Sequence, residues 1–271
     1  SALEIKLIAT SHNLIDKIWE NQPPKPISPV EIHKIKFCGE KSKTKRLTLA
    51  KILKNNKSTF LVLSLPDSIA WLLNIRGRDV PFTPFSLSFA IVYTDGTIDW
   101  FIDRQKLTAK VLHQLGPDIR INQPDQLIQF LKKLAQKNKV MHICSDTAPK
   151  FLFEPYKGTD KLIIDKPDPC QALKACKNET ELIGARNAHL RDGIAISNFL
   201  SWLNTHMKSE KQTEISAATY LEKQRENNEL YQGLSFPTIS GYGANGAIVH
   251  YRVTEETNKF LKLGSLLLID S

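Results

Sequence analysis

The sequence predicts two structural units, a mixed α/β domain over residues 1–168 and a region of α+β character over residues 169–271. Three observations predict this arrangement. Short apolar runs alternate with helical patterns throughout the first unit, which is typical of α/β and α+β domains. Pro167 and Pro169 then interrupt regular structure. One long helical pattern follows, and from Gly233 the chain becomes rich in glycine and strand-like.

Local signals place the elements of the first unit. Residues 13–30 are expected to begin as a short helix and to continue as an extended segment, because four prolines follow the helical pattern. The dipeptide Asp95-Gly96 predicts a hairpin turn. The other predicted helices cover residues 44–57, 69–74, 106–115 and 124–137. The predicted strands cover residues 60–64, 85–93, 98–102, 140–145 and 162–164.

The second unit is expected to begin with two capped helices. Asn178 followed by Glu181 forms a capping-box pattern, and the apolar stripe behind it predicts a helix that continues to about Thr205. Thr213 is a suitable cap for a second helix over residues 214–226. The following stretch is expected to be strand-like through Val249.

Composition excludes several classes of protein. The net charge is +9, but the lysines are scattered. The one basic cluster, formed by Lys41, Lys43, Lys45 and Arg46, has no aromatic neighbour, so we expect a solvated surface and no specific nucleic acid. The four cysteines lack the spacing of a zinc or redox motif, which predicts reduced thiols. No apolar run approaches the roughly 20 residues of a membrane helix, so no membrane association is expected.

Two residues near the end of the chain are candidates for chemistry. His250 follows Ile248 and Val249 behind a glycine-rich loop, where an imidazole could contact a substrate. Asp270 ends four consecutive aliphatic residues, and a carboxylate in that position needs a partner or a cation. Taken alone, each residue has an ordinary structural alternative, a satisfied histidine and a strand-end cap.

Several motifs in order resemble one known family. Three of them lie in the last forty residues: Gly233-Leu-Ser-Phe-Pro-Thr-Ile-Ser240, Asn245-Gly-Ala-Ile-Val-His-Tyr251 and Leu266-Leu-Leu-Ile-Asp-Ser271. Others are Ile69-Ala-Trp-Leu-Leu-Asn-Ile-Arg-Gly77, Lys177-Asn-Glu-Thr-Glu-Leu182, Ala188-His-Leu-Arg-Asp-Gly193 and Glu214-Ile-Ser-Ala-Ala218. Together they resemble the aminopeptidase P (Xaa-Pro aminopeptidase) family of pita-bread metallopeptidases, in its long, three-domain form.

The resemblance implies a fold and a set of roles. Residues 1–168 would be a creatinase N-terminal-like middle domain, and residues 169–271 the first part of a pita-bread catalytic domain. The family binds two divalent metals, commonly manganese with zinc or cobalt as alternatives, through two aspartates, a histidine and two glutamates. Asp270 matches the first aspartate, and His250 matches the histidine that binds substrate. Arg76 is a weaker candidate for the substrate cleft, its alternative being a loop contact to Asp79, and Trp71 is expected in the core.

The implied activity is removal of the N-terminal residue from peptides with proline in second place. The remaining metal ligands are expected beyond Ser271 and a further domain before Ser1, so this chain alone is expected to bind no metal tightly and to hydrolyse nothing. A cytoplasmic location and a homodimer through the catalytic domain are further expectations. The alternatives are a prolidase-like dipeptidase and a non-catalytic pita-bread relative that binds peptides or proteins.

Overall fold

The computed structural model describes residues 8, 10, 12–207 and 211–271. Its helices are α1 Ile35–Cys38, α2 Ser42–Asn55, α3 Pro66–Leu73, α4 Ala109–Leu115, α5 Leu127–Gln136, α6 Pro169–Ala175, α7 Glu179–His206 and α8 Glu214–Glu226. Its strands are β1 Glu31–Ile32, β2 Phe60–Leu63, β3 Ile75–Arg76, β4 Phe89–Tyr93, β5 Ile98–Phe101, β6 Ile119–Asn122, β7 Met141–Ile143, β8 Ile163–Asp165, β9 Ile239–Tyr242 and β10 Leu267–Asp270.

A six-stranded mixed sheet organises the first unit, in the order β6-β5-β4-β2-β7-β8. The central strands β2, β4 and β5 pair antiparallel, and the outer pairs β5–β6, β2–β7 and β7–β8 are parallel. Gly96, with φ of +82°, makes the tight turn between β4 and β5. The predicted mixed α/β architecture of this unit is therefore confirmed.

Both faces of the sheet are covered, because side chains alternate along each strand. On β2, Leu61 and Leu63 face one apolar cluster, which includes Leu49 of α2 and Leu72 of α3. Phe60 and Val62 face a second cluster, which includes Leu131 of α5. All four residues of β2 are buried, and for this reason the strand appears in the sequence as a continuous apolar run.

Some predicted elements differ from the observed ones. The predicted helix at the start of residues 13–30 is only a 3₁₀ turn, Ile15–Lys17. The strand predicted over 85–93 begins at Phe89, because the backbone N–H of Leu87 is already hydrogen-bonded to Asp79. Strand β6 and helix α6 were not predicted, since both are short and carry weak periodicity.

The prediction of a solvated basic cluster is wrong for two of its four members. Lys45 and Arg46 are buried on the inner face of α2. The Nζ atom of Lys45 donates to the side chain of Asn74 at 2.8 Å and to a backbone carbonyl at 3.0 Å. Arg46 donates to the carbonyl of Gly96 and pairs with Asp118 at 3.2 Å. These bonds provide partners for both cations, whose long stems pack in the core, although the buried Nε atom of Arg46 has no hydrogen-bond partner among the described residues.

The second unit contains α7, α8 and an antiparallel pair formed by β9 and β10. The rings of Trp202 and Tyr220 stack at 4.1 Å between the two helices. Both predicted caps are present: Asn178 and Thr213 each accept from a backbone N–H three residues on. The strand expected through Val249 ends earlier, at Tyr242, because residues 243–247 form a 3₁₀ turn.

The four cysteines are free, as predicted. Within the described ranges, none of the helices has the length and apolar character that a membrane crossing requires.

Candidate active site

His250 lies in a turn, whereas the sequence predicted the end of a strand. Its backbone is left-handed, with φ of +53°, and the residue is exposed. The turn is closed by a hydrogen bond from the N–H of Tyr251 to the carbonyl of Ile248 at 3.2 Å. The imidazole of His250 takes part in no side-chain hydrogen bond with the part of the chain that the structure describes.

The loop that carries His250 is attached to a buried carboxylate. Glu214, the first residue of α8, is fully buried. Its Oε1 atom accepts from the N–H of Tyr242 at 2.6 Å and from the side-chain amide of Asn245 at 3.0 Å. Its Oε2 atom accepts from the hydroxyl of Tyr251 at 3.3 Å and from the N–H of Lys259 at 3.0 Å. The carboxylate thus joins the helix, strand β9 and both ends of the loop.

Asp270 is the last residue of β10 and pairs with Ile239 of β9. It is exposed, in keeping with the alternating burial along this strand. No group of three or more His, Cys, Asp or Glu side chains that could hold a metal occurs among the described residues. One carboxylate does not make a dinuclear centre, so these residues by themselves do not fit a pair of metal ions.

Arg76 lies in the first unit, on β3. Its Nη1 atom donates to the carbonyl of Ile75 at 2.8 Å. Asp79 instead forms a salt bridge with Lys106, whose Nζ atom is 2.6 Å away, and accepts a hydrogen bond from the hydroxyl of Ser86 at 2.9 Å. The alternative role of Arg76, a loop contact to Asp79, is therefore wrong. Trp71 packs against the first apolar cluster, as expected.

Both basic and acidic side chains surround Arg76, among them His33, Lys45 and Glu181. Burial, and then the positive charges of Arg76 and Lys45, lower the pKa of His33 to about 4. Burial also lowers the pKa of the Arg76 guanidinium. A half-buried guanidinium beside a second cation can bind a carboxylate or a peptide carbonyl. No hydrogen bond or salt bridge within the described ranges joins this cluster to His250 or Asp270.

Arg78, which the sequence analysis did not select, links the two units. Its guanidinium donates to the carbonyl of Gln232 at 3.1 Å. Gln232 directly precedes the Gly233–Ser240 motif, so the loop after β3 reaches the segment that leads to the candidate site. The only feature of the sequence that could have indicated a role for Arg78 is its position two residues after Arg76. Glu214 was quoted only within a motif, and nothing in the sequence indicated that its side chain would be buried.

Two family models match the chain. Residues 21–181 match the Creatinase/Prolidase N-terminal domain, and residues 184–271 match metallopeptidase family M24. The two matches meet within the first two turns of α7. The fold and these matches define the class of the molecule, a creatinase-type domain followed by a region of metallopeptidase family M24.

Similar proteins narrow that class. A probable Xaa-Pro aminopeptidase P of Aspergillus niger is 34% identical over 98% of this chain. A solved X-prolyl aminopeptidase of Caenorhabditis elegans, described as a cytosolic enzyme with a dinuclear active site, matches 97% of the chain with a TM-score of 0.89 and 29% identity. This chain belongs to the creatinase/prolidase–M24 metallopeptidase family, and its similarity to Xaa-Pro aminopeptidases extends over nearly its whole length.

The chain matches only part of each relative, and it also shares its fold with a dipeptidase. The chain spans 44% of the length of the Aspergillus niger relative and 44% of the Caenorhabditis elegans protein. An Xaa-Pro dipeptidase from Bacillus anthracis matches 84% of this chain and 60% of its own length, with a TM-score of 0.61 and 16% identity. That likeness shows a shared fold.

Proposed function

We propose that the full-length protein is a metal-dependent Xaa-Pro aminopeptidase that removes the N-terminal residue from peptides with proline in second place. One observation carries the proposal: similarity to Xaa-Pro aminopeptidases extends over nearly the whole chain, across both units. Family membership supports a metallohydrolase. The dinuclear site described for the Caenorhabditis elegans protein supports two divalent metals, of which we propose manganese.

His250 and Asp270 have distinct roles in this proposal. The exposed imidazole of His250 would bind the substrate and donate to the oxyanion that develops on the scissile carbonyl. The carboxylate of Asp270 would be one metal ligand, and its exposure leaves both oxygens accessible. Metal ions in such a centre polarise the carbonyl and activate water. Arg76 remains a weaker proposal for the substrate cleft.

The proposed substrate preference has a physical reason. Proline lacks a backbone N–H and has a rigid ring, so a site shaped around that ring distinguishes proline from other second residues. Peptide substrates follow from this proposal. A cytoplasmic location, which the cytosolic Caenorhabditis elegans relative supports, and a homodimer through the M24 domain belong to the same proposal.

The sequence predicted a domain division after residue 168, and we propose to move it to the C-terminal side of α6. Cys170 of α6 packs in the apolar cluster of the first unit. This packing favours a division on the C-terminal side of α6, close to the point where the two family matches meet.

The test uses the full-length polypeptide with manganese and a matched pair of peptides, Arg-Pro-Pro and Arg-Ala-Pro. We expect release of arginine from the first peptide only, loss of activity with a chelator, and recovery with manganese. His250→Ala should lower kcat by about 10²-fold or more, and Asp270→Asn should lower the bound metal. Residues 1–271 alone should release no arginine.

Three outcomes would contradict the proposal. Hydrolysis of Arg-Pro but not of Arg-Pro-Pro would indicate a dipeptidase. Peptide binding without hydrolysis in the presence of metal would indicate a non-catalytic relative. Full activity of His250→Ala would remove the role assigned to this histidine.

A further inference from the structure

The backbone of His250 is in the left-handed conformation, which is uncommon for non-glycine residues although histidine adopts it more often than most. A non-glycine residue at φ of +53° costs about 1–3 kcal/mol, and it persists only where the surroundings determine it. His250 is exposed, so apolar packing of its own side chain does not hold it. The constraint must therefore come from the residues on either side.

Both sides of the turn are attached to Glu214. Tyr251, the next residue along the chain, is buried, and its hydroxyl donates to Oε2 of Glu214. Asn245, five residues before His250, is also buried, and its amide donates to both carboxylate oxygens at 3.0 and 3.2 Å. The two side chains also bond to each other at 2.8 Å. Glu214 thus contacts both anchors, which are also held by Thr257, 3.0 Å from the Tyr251 hydroxyl, and by Lys259, whose Nζ atom donates to Asn245 at 2.7 Å.

The donors around Glu214 are neutral groups, two backbone N–H groups, an amide and a phenol. In the part of the chain that the structure describes, no lysine or arginine forms a salt bridge with it. A buried carboxylate without a paired cation requires all of these hydrogen bonds. Loss of one oxygen acceptor would therefore loosen several loop contacts together.

We infer that Glu214 is a positioning residue for His250, which acts through Tyr251 and Asn245 without touching the substrate itself. This inference rests on the proposed function, because it assumes that His250 contacts the reacting peptide. A histidine displaced by about an ångström donates poorly to a developing oxyanion, and such an error costs up to about 10²-fold in rate.

The experiment is a double-mutant cycle in the full-length polypeptide loaded with manganese, with Arg-Pro-Pro as substrate. Glu214→Gln keeps the size of the side chain but replaces one acceptor with a donor. We expect kcat to fall about 10- to 100-fold with KM changed less than about threefold. In the His250→Ala background, the same substitution should cause no further loss of kcat.

Tyr251→Phe removes a single hydroxyl and gives a second cycle if Glu214→Gln fails to fold. Glu226→Gln is the matched control, since Glu226 is exposed on the same helix. It should leave kcat and KM unchanged. Equal losses in the wild-type and His250→Ala backgrounds would overturn the inference, because a general structural defect is additive. Full activity of His250→Ala alone would instead identify a failure of the proposed function, and the inference would fail with it.

Discussion

Each unit of the molecule contains a buried carboxylate that organises a loop, and the two are satisfied in different ways. In the first unit, Asp79 is paired with the ammonium group of Lys106 at 2.6 Å. Burial would raise the pKa of Asp79, but hydrogen bonds from Lys106, the N–H of Leu87 and Ser86 outweigh it and hold the pKa below its usual value. In the second unit, Glu214 is held by neutral donors.

The apolar packing around the two carboxylates also differs. The sheet of the first unit has a well-filled apolar cluster on each face. Among the described residues of the second unit, the apolar cluster has four buried members, whereas Val249 and Leu266 are 84% and 85% exposed. The first unit is therefore held mainly by the apolar core on both faces of its sheet. The loop of His250 depends instead on one polar network.

The largest effect is expected when the ion pair of the first unit is broken. Lys106→Met keeps the apolar stem but leaves Asp79 buried without its cation. We expect the free energy of unfolding to fall by about 3–5 kcal/mol, measured by urea denaturation. Lys110→Met, at an exposed position on α4, is the control and should change it by less than about 0.5 kcal/mol.

The contribution of Asp79 to stability should also depend on pH, in a direction that its lowered pKa determines. The folded pKa of Asp79 is lowered, so its contribution to stability is present above the unfolded pKa and is lost as the pH falls through the folded pKa. In the double variant Asp79→Asn, Lys106→Met, the free energy of unfolding should lack the pH-dependent contribution of Asp79. Equal stability of Lys106→Met and the control would show that the ion pair does not distinguish the two units.

A smaller effect is expected at the junction between the units. Asn178 accepts from the N–H of Glu181 at 3.1 Å and donates to the carbonyl of Cys38, at the end of α1, at 2.9 Å. A Cβ atom on the neighbouring Gly39 would lie 2.5 Å from the Asn178 side chain, so the two elements approach closely. Asn178→Ala should cost about 0.5–2 kcal/mol, measured by urea denaturation.

Asn178→Ser separates the two bonds, because serine still caps α7 but is too short to reach Cys38. The free energy of unfolding that Asn178→Ser loses should lie between zero and the loss in Asn178→Ala. If serine and alanine cost the same, the cap contributes nothing measurable and the contact with Cys38 accounts for the whole effect.

The smallest effect is a pH dependence at His33. Its folded pKa is about 4 and its unfolded value 6.5, so the unfolded chain binds more protons between these limits. The stability due to neutral His33 is present above about pH 6.5 and declines toward pH 4. His33→Gln should reduce this decline by a fraction of a kcal/mol, because the imidazole is only partly buried.

Urea denaturation at about pH 7.5 and pH 5 measures this difference. The same substitution at the exposed His113 serves as the control. An unchanged pH dependence in His33→Gln would show that neither burial nor the neighbouring cations lower the pKa of His33 in the folded state.

The predictions from sequence succeeded where a signal is local. The cap at Asn178, the hairpin at Asp95-Gly96 and the apolar run at β2 each depend on residues close in the chain, and each is observed. They failed where distant contacts decide. Lys45 and Arg46 are buried because α3 and the β4–β5 hairpin supply their hydrogen-bond acceptors. No pattern in the residues near Lys45 and Arg46 indicates that these acceptors will be close in the fold.

The candidate site also has features that the sequence indicates and features that depend on distant contacts. The order of residue types along the chain was enough to select His250 and Asp270 and to indicate the family, since motif resemblance depends only on sequence. That Glu214 is the buried anchor of the His250 loop was decided by the tertiary structure. Its donors come from residues 242–259, some 28 to 45 positions away, and a carboxylate on a helix is recognisable as buried only when its partners are in place.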